Sequence, residues 1–225
     1  MKSQKNEKVK RYIDYMSQIL VSLGNSRYEN GRRRLISSCY QFNQPFAIFS
    51  DESEVGAPNH FSNPYAFKVY TIRKLWEEGY TKIIWVDCSV FLIKPLDALW
   101  KILDEQGFLA QEAGYWLGQW CNDTTLNYFG ITREEANSIQ MYGNAGLLGI
   151  NFDFPKSKEF FLRWEKAMED GMFLGSWGDH RHDMSCGSFI RHDLDLPLQP
   201  GDEILQYGYH EPRNEKIHFK AVGIN

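Results

Sequence analysis

The stretch Lys82–Leu96, KIIWVDCSVFLIKPL, decides how the chain is read. Five residues from Lys82 to Val86 form an apolar run too short for a typical helix and rich in β-branched side chains, the pattern of a buried strand. The run stops at Asp87-Cys88-Ser89, and a second apolar segment continues to Lys94-Pro95. A carboxylate just past a buried strand is poorly placed for packing and well placed for a ligand. Asp87 either holds a divalent cation or a ribose hydroxyl, since hard oxygen donors suit Mg²⁺ and Mn²⁺, or caps the turn that follows.

Outward from this strand, apolar runs alternate with amphipathic segments. Gln18–Leu23, Pro45–Ser50, Phe108–Ala110 and Gly146–Phe152 read as strands. Gly31–Asn43, Asn63–Gly79, Leu96–Glu105 and Lys156–Asp170 read as helices, with another near Met184–His192. In the second of these Asn63 is placed to cap, Pro64 takes the first helical position and Gly79 the left-handed position after the last turn. Residues 114–140 break the rhythm as an aromatic insert with two short helices, the second opened by a Thr132/Glu135 capping box. Short strands are expected at Leu196–Gln199 and Lys216–Ala221. The alternation predicts an α/β class: one Rossmann-like domain over residues 1–225, with a mostly parallel central sheet flanked by helices. Ligands then sit beyond the carboxyl ends of the strands.

Composition narrows the function classes. The chain has 225 residues, 25 Lys+Arg against 29 Asp+Glu, and 43% hydrophobic residues. Seven Trp, 12 Tyr and 15 Phe exclude intrinsic disorder. No apolar run is long enough for a membrane span. The opening MKSQKNEKVKRY reads as a basic segment (1–15) rather than a secretory signal, and four unpatterned cysteines suit a reducing cytoplasm. The first 40 residues carry nine basic and three acidic residues. That asymmetry suits either a solvated tail or a phosphate-rich partner such as DNA.

Several further residues are candidates for chemistry. Asp183 follows Asp179, His180 and His182 and either caps the next helix or faces a reacting group; the two histidines are at most a weak metal signal. Gly143–Gly146 is a glycine-flanked turn entering a strand, an ordinary tight turn or a wall for a ligand. Lys68 is either a solvated lysine or a phosphate contact. Tyr28, after the first strand, offers a face for stacking on a base. Glu112 is a reserve carboxylate. Trp116 and Trp120 are core residues or a stacking surface for a sugar or base.

Taken together, these segments resemble the nucleotide-sugar glycosyltransferases of the GT-A fold, in particular the retaining family 8 type. In that family an apolar strand ends in Asp-x-Asp, as KIIWVDCS nearly does, with a Pro-Leu pair soon after. NPYAFKVYTIRKLWEEGY is similar to the basic helix before that strand. NAGLLGINFDFPKSKEFFLRW is similar to the Asn-Ala/Ser-Gly strand lining the donor sugar pocket, and IHFKAVG to the C-terminal histidine strand. The resemblance spans residues 18–221. It implies transfer of a sugar from a nucleoside diphosphate donor, a UDP-sugar foremost, to an acceptor hydroxyl of a glycan, lipid or protein. It implies donor contacts from Tyr28, Lys68, Asp87, Ser89, Asn144, Gly146 and Lys220. It assigns a Mn²⁺ or Mg²⁺ to Asp87 and His218, and catalytic work to Asp183, with Glu112 in reserve.

The motif departs from the family at Ser89, where the metal-binding Asp usually stands. A serine brings no charge to offset a divalent cation, so either the metal site is weak or Lys68 and Lys220 stabilise the departing diphosphate. Two alternatives stand beside the main one. A phage-type enzyme would glucosylate hydroxymethylated pyrimidines in DNA, and an inactive member would serve as a nucleotide-sugar-binding or interaction protein.

Overall fold

A computed structural model describes residues 17–143, 146–201 and 203–223. Strand β1 (Gln18–Leu23) is followed by α1 (Glu29–Gln41) and β2 (Phe46–Phe49). Helix α2 (Ala66–Glu77), β3 (Lys82–Trp85), β4 (Val90–Leu92), α3 (Asp97–Gln106) and β5 (Phe108–Ala110) come next. The insert contains β6 (Glu112–Trp116), α4 (Asp123–Phe129), α5 (Arg133–Ala136) and β7 (Gln140–Tyr142). Then β8 (Leu148–Asn151), α6 (Pro155–Glu169), α7 (His182–Asp193), β9 (Leu205–Tyr207) and β10 (Phe219–Ala221) complete the order.

The central sheet runs β2-β1-β3-β8-β5. Its strands are apolar on both faces because helices cover both. Ile19, Val21, Ile83 and Trp85 pack with Val69 and Ile72 of α2 and Phe161 and Trp164 of α6. Leu20, Ile84 and Val86 point the other way, to Leu35 of α1 and Leu99 and Leu103 of α3. The α/β class is as expected, but the sheet is mixed rather than mostly parallel. β1 pairs in parallel with β2 and β3, whereas β8 is antiparallel to both β3 and β5. The insert is the cause. The chain leaves β5 at its carboxyl end, makes its excursion there, and returns at the same edge, where the Gly143 N–H donates to the Gln111 carbonyl at 3.1 Å. A strand entering from that edge must run backwards.

Other boundaries moved for local reasons. The insert is not purely helical, since β6 and β7 pair antiparallel at its two ends; its capping box at Thr132 and Glu135 forms. Helix α2 starts at Ala66, so neither Asn63 nor Pro64 takes the expected position; Tyr65, in a left-handed conformation (φ 62°), precedes it instead. Leu196–Gln199 makes a single bridge, Gln199 to Gln111. β10 begins only at Phe219 because the N–H groups of His218 and Phe219 both donate to the Ile204 carbonyl, which breaks the ladder there. β4, β10 and β9 form a small separate sheet.

Candidate functional site

The carboxyl ends of β1 and β3 open onto a cleft of about 560 Å³, lined among others by Asn25, Arg27, Tyr28, His60, Tyr65 and Asp87. The Asp87–Ser89 loop is wedged into place by missing side chains. A Cβ on Gly24 would lie 2.7 Å from Cys88 Sγ, and one on Gly31 would lie 2.3 Å from the Cys88 carbonyl oxygen. Arg34 Nη2 donates to the carbonyls of Ser89 (3.3 Å) and Gly223 (2.6 Å), clamping the segment just after β10 onto this loop.

Lys68 is the hub. It projects from the first turn of α2, is buried, and places Nζ 2.9 Å from Asp183 Oδ2 and 3.5 Å from Asp87 Oδ1. Burial presses its ammonium towards neutrality, but Asp183 and Asp87 outweigh that and hold it above its ordinary value. Burial lifts the Asp183 carboxyl above the usual carboxylate range, against the pull of Lys68. Asp183 therefore does not cap α7; it lies inside the first turn with its side chain turned to α2. Trp164 Nε1 fixes that turn by donating to the Asp183 carbonyl at 2.9 Å. Asp87 also accepts from Trp85 Nε1 at 3.2 Å.

Gly146 completes the cluster. With φ of 70°, its hypothetical Cβ would sit 2.3 Å from Asp87 Oδ1, so the turn before β8 lies directly against this carboxylate. The structure thus brings together Lys68, Asp87, Asp183 and Gly146, with Tyr28 also in the lining of the cleft. Asn144 lies outside the described residues.

Other expected members are placed elsewhere. His218 pairs with the far end of β4: its carbonyl accepts from the Ile93 N–H at 2.9 Å, and Nδ1 lies 2.8 Å from the Pro95 carbonyl. Since β4 runs away from Asp87, three residues of strand from Val90 to Ile93 alone add roughly 10 Å. Lys220 lies opposite Phe91 on β10 and is not among the described residues lining the cleft. Glu112 opens β6 opposite Tyr142 and acts on the charge of Arg191 rather than on Lys68. Ser89 contributes its backbone carbonyl to Arg34 and Val222.

The donor set expected for Mn²⁺ or Mg²⁺ does not fit this arrangement. Asp87 is already paired with Lys68, His218 is at the wrong end of β4, and Ser89 supplies no charge. Among the described residues no group of three or more His, Cys, Asp or Glu side chains converges as a metal site. His180 and His182 face the backbone instead, with ring nitrogens 2.9 Å from the Met172 carbonyl and 2.8 Å from the Phe173 carbonyl.

Sequence reasoning missed Tyr65 and His60. Tyr65 and His182 (φ 47°) are both left-handed non-glycine residues, and their rings lie 5.4 Å apart beside the Lys68–Asp183 pair. Backbone strain of this kind persists where the surroundings over-determine it and collects at functional sites. Burial lowers the His60 pKa below its ordinary value, which favours the neutral ring. Arg27 is then the one cation among the described lining residues. The signal for Tyr65 was Asn-Pro-Tyr ahead of a strong helix, which reads as a cap but folds as a turn.

No protein-family model matches the chain, and no curated protein matches it in sequence. Among the described residues no helix is long and apolar enough to cross a membrane.

Proposed function

We propose that the chain binds a nucleoside diphosphate sugar in the cleft beyond β1 and β3 and transfers its sugar to an acceptor hydroxyl. One observation carries this reading: Asp87, at the carboxyl end of β3, is held by Lys68 and backed by Gly146 at the mouth of a cleft about 560 Å³ in volume. That size suits a nucleotide-sized ligand, and the position is the one open α/β sheets use for binding. Tyr28, in the cleft lining, presents its ring to a base. The free lone pairs of Asp87 accept from ribose or sugar hydroxyls.

Charge decides where the phosphates go. Lys68 with two carboxylates is net negative, so a diphosphate is repelled from the cluster itself. Arg27, which also lines the cleft, meets it instead. Asp183, buried behind Lys68, orients that ammonium and the sugar-facing edge of the site.

A second reading is favoured by the same cluster. Asp87, Lys68 and Asp183 satisfy one another, which suits a protein that binds a nucleotide sugar without turning it over. A DNA acceptor is less well supported. In the described part of the basic stretch, Arg32 and Arg33 pair with Glu29, and Arg34 is bound to backbone carbonyls.

Calorimetric titration with UDP, GDP and their sugars, with and without Mn²⁺, tests the proposal, with nucleotide release followed by chromatography. Binding of one donor, its loss of roughly tenfold affinity in Asp87→Asn, and release of the nucleoside diphosphate are expected. Binding without release selects the second reading, and no binding in any combination overturns both.

A further inference from the structure

A row of aromatic side chains leads away from the cleft. Tyr65, in the cleft wall, has its ring 5.8 Å from Trp177. The Arg181 guanidinium lies between two indoles, 4.2 Å from the Trp177 ring centre and 3.6 Å from that of Trp120. Trp120 in turn meets Tyr115 at 5.8 Å. The outer members are open to solvent, Trp177 at 50% and Tyr115 at 45% exposure. Large aromatics left exposed in a continuous row mark a binding surface more often than chance packing.

Arg181 holds the row without an acidic partner among the described residues. Its Nη1 has no hydrogen-bond partner among the described residues, and burial lowers its pKa below the ordinary arginine value. Cation–π contact on both faces fixes the two indoles at a set spacing. This is a rigid ladder of rings.

We propose that the ladder is the acceptor subsite, and that the acceptor is a saccharide whose rings stack on Trp177 and Tyr115 while its terminal hydroxyl reaches the cleft at Tyr65. The inference rests on the nucleotide-sugar reading of the cleft and deepens it by naming the acceptor class. Continuity with the cleft through Tyr65 gives the direction. Charge selects a saccharide over a nucleic acid strand: the row holds a single cation, Arg181, with Asp179 close by in sequence, whereas a phosphate backbone is tracked by several basic side chains.

The test uses the full chain and its intrinsic tryptophan fluorescence. Hexasaccharides of α-1,4-glucose, β-1,4-glucose, N-acetylglucosamine and galacturonate are titrated, with a 12-residue oligothymidylate as the nucleic acid probe. At least one saccharide is expected to bind, with affinity reduced roughly tenfold in Trp177→Ala and largely restored in Trp177→Phe. UDP affinity, measured in parallel, should be equal in all three proteins. Saccharide binding without any nucleotide binding would retain the ladder and remove the donor reading. Failure of every saccharide, binding of oligothymidylate alone, or a Trp177→Ala affinity equal to wild type would each overturn the inference.

Discussion

Lys68 and Asp183 are 115 positions apart and meet at 2.9 Å, each with only about 5% or less of its side chain exposed. The pair joins the first turns of α2 and α7, so the two helices enter the site as one unit. Desolvating two charges is costly, and their mutual attraction roughly offsets it only while both are present. Asp87, at 3.5 Å, gives Lys68 a second partner that is half open to the cleft.

Removing one member should therefore cost far more than removing both. Lys68→Met leaves Asp183 buried and uncompensated and is expected to destabilise the fold by about 3–5 kcal/mol. The double variant Lys68→Met/Asp183→Leu should be more stable than the sum of the single changes predicts. Urea denaturation of the four proteins measures the coupling, and strict additivity would show that the contact contributes nothing.

Stability should also fall on mild acidification. Burial is the main cause that depresses His180, from 6.5 to about 4. A depressed histidine keeps its full contribution above its unfolded value and loses it as pH falls through the window between the two. For His180 that loss approaches about 3 kcal/mol by pH 4, and His60 and His218, also lowered by burial, act in the same sense. Asp183, raised by burial, works oppositely, gaining as pH falls. Urea midpoints at pH 7 and pH 4.5 should differ clearly less in His180→Gln than in wild type; an equal difference would refute the assignment.

Much of the fold was legible because packing on both sheet faces writes continuous apolar runs into the sequence. β1 and β5 fall where the runs do, Gln18–Leu23 and Phe108–Ala110. What sequence did not show was set by contacts between distant segments. Nothing local to Leu148–Asn151 says that it runs antiparallel; the return of the insert beside Gln111 does. The site was legible by type and only partly by partner. Asp87 followed from its strand-end position and Gly146 from the glycine-flanked turn entering a strand, but Lys68 looked like any helix lysine until α7 brought Asp183 to it. His218 failed because the bend of the chain through β4 places it beside Pro95, a distance that spacing along the sequence does not encode.

The four thiols should be silent in the native protein. Cys39, Cys88, Cys121 and Cys186 are all buried, and burial pushes Cys39 and Cys121 to about 12 and Cys88 to about 11. The thiolate is the reactive form, so at pH 8 very little is available. Ellman's reagent is expected to label none of them within minutes and all of them after urea is added. Rapid labelling of Cys88 in the native state would mean that the Asp87–Ser89 loop opens readily away from Gly24 and Gly31.

Gly146 gives the sharpest separation of binding from folding. Its backbone sits at φ 70°, which costs a residue with a Cβ about 1–2 kcal/mol. The Cβ itself would also strike Asp87 Oδ1 at 2.3 Å, and Asp87 can relieve that contact only by turning away from Lys68. Gly146→Ala should therefore lower stability modestly while weakening nucleotide binding as strongly as Asp87→Asn does. Gly79→Ala is the control: Gly79 is also left-handed, at φ 100°, but a Cβ there meets nothing within 4 Å. It should match the strain penalty and leave nucleotide affinity intact. Equal nucleotide affinities for the two variants would show that the Gly146 turn does not shape the cleft through Asp87.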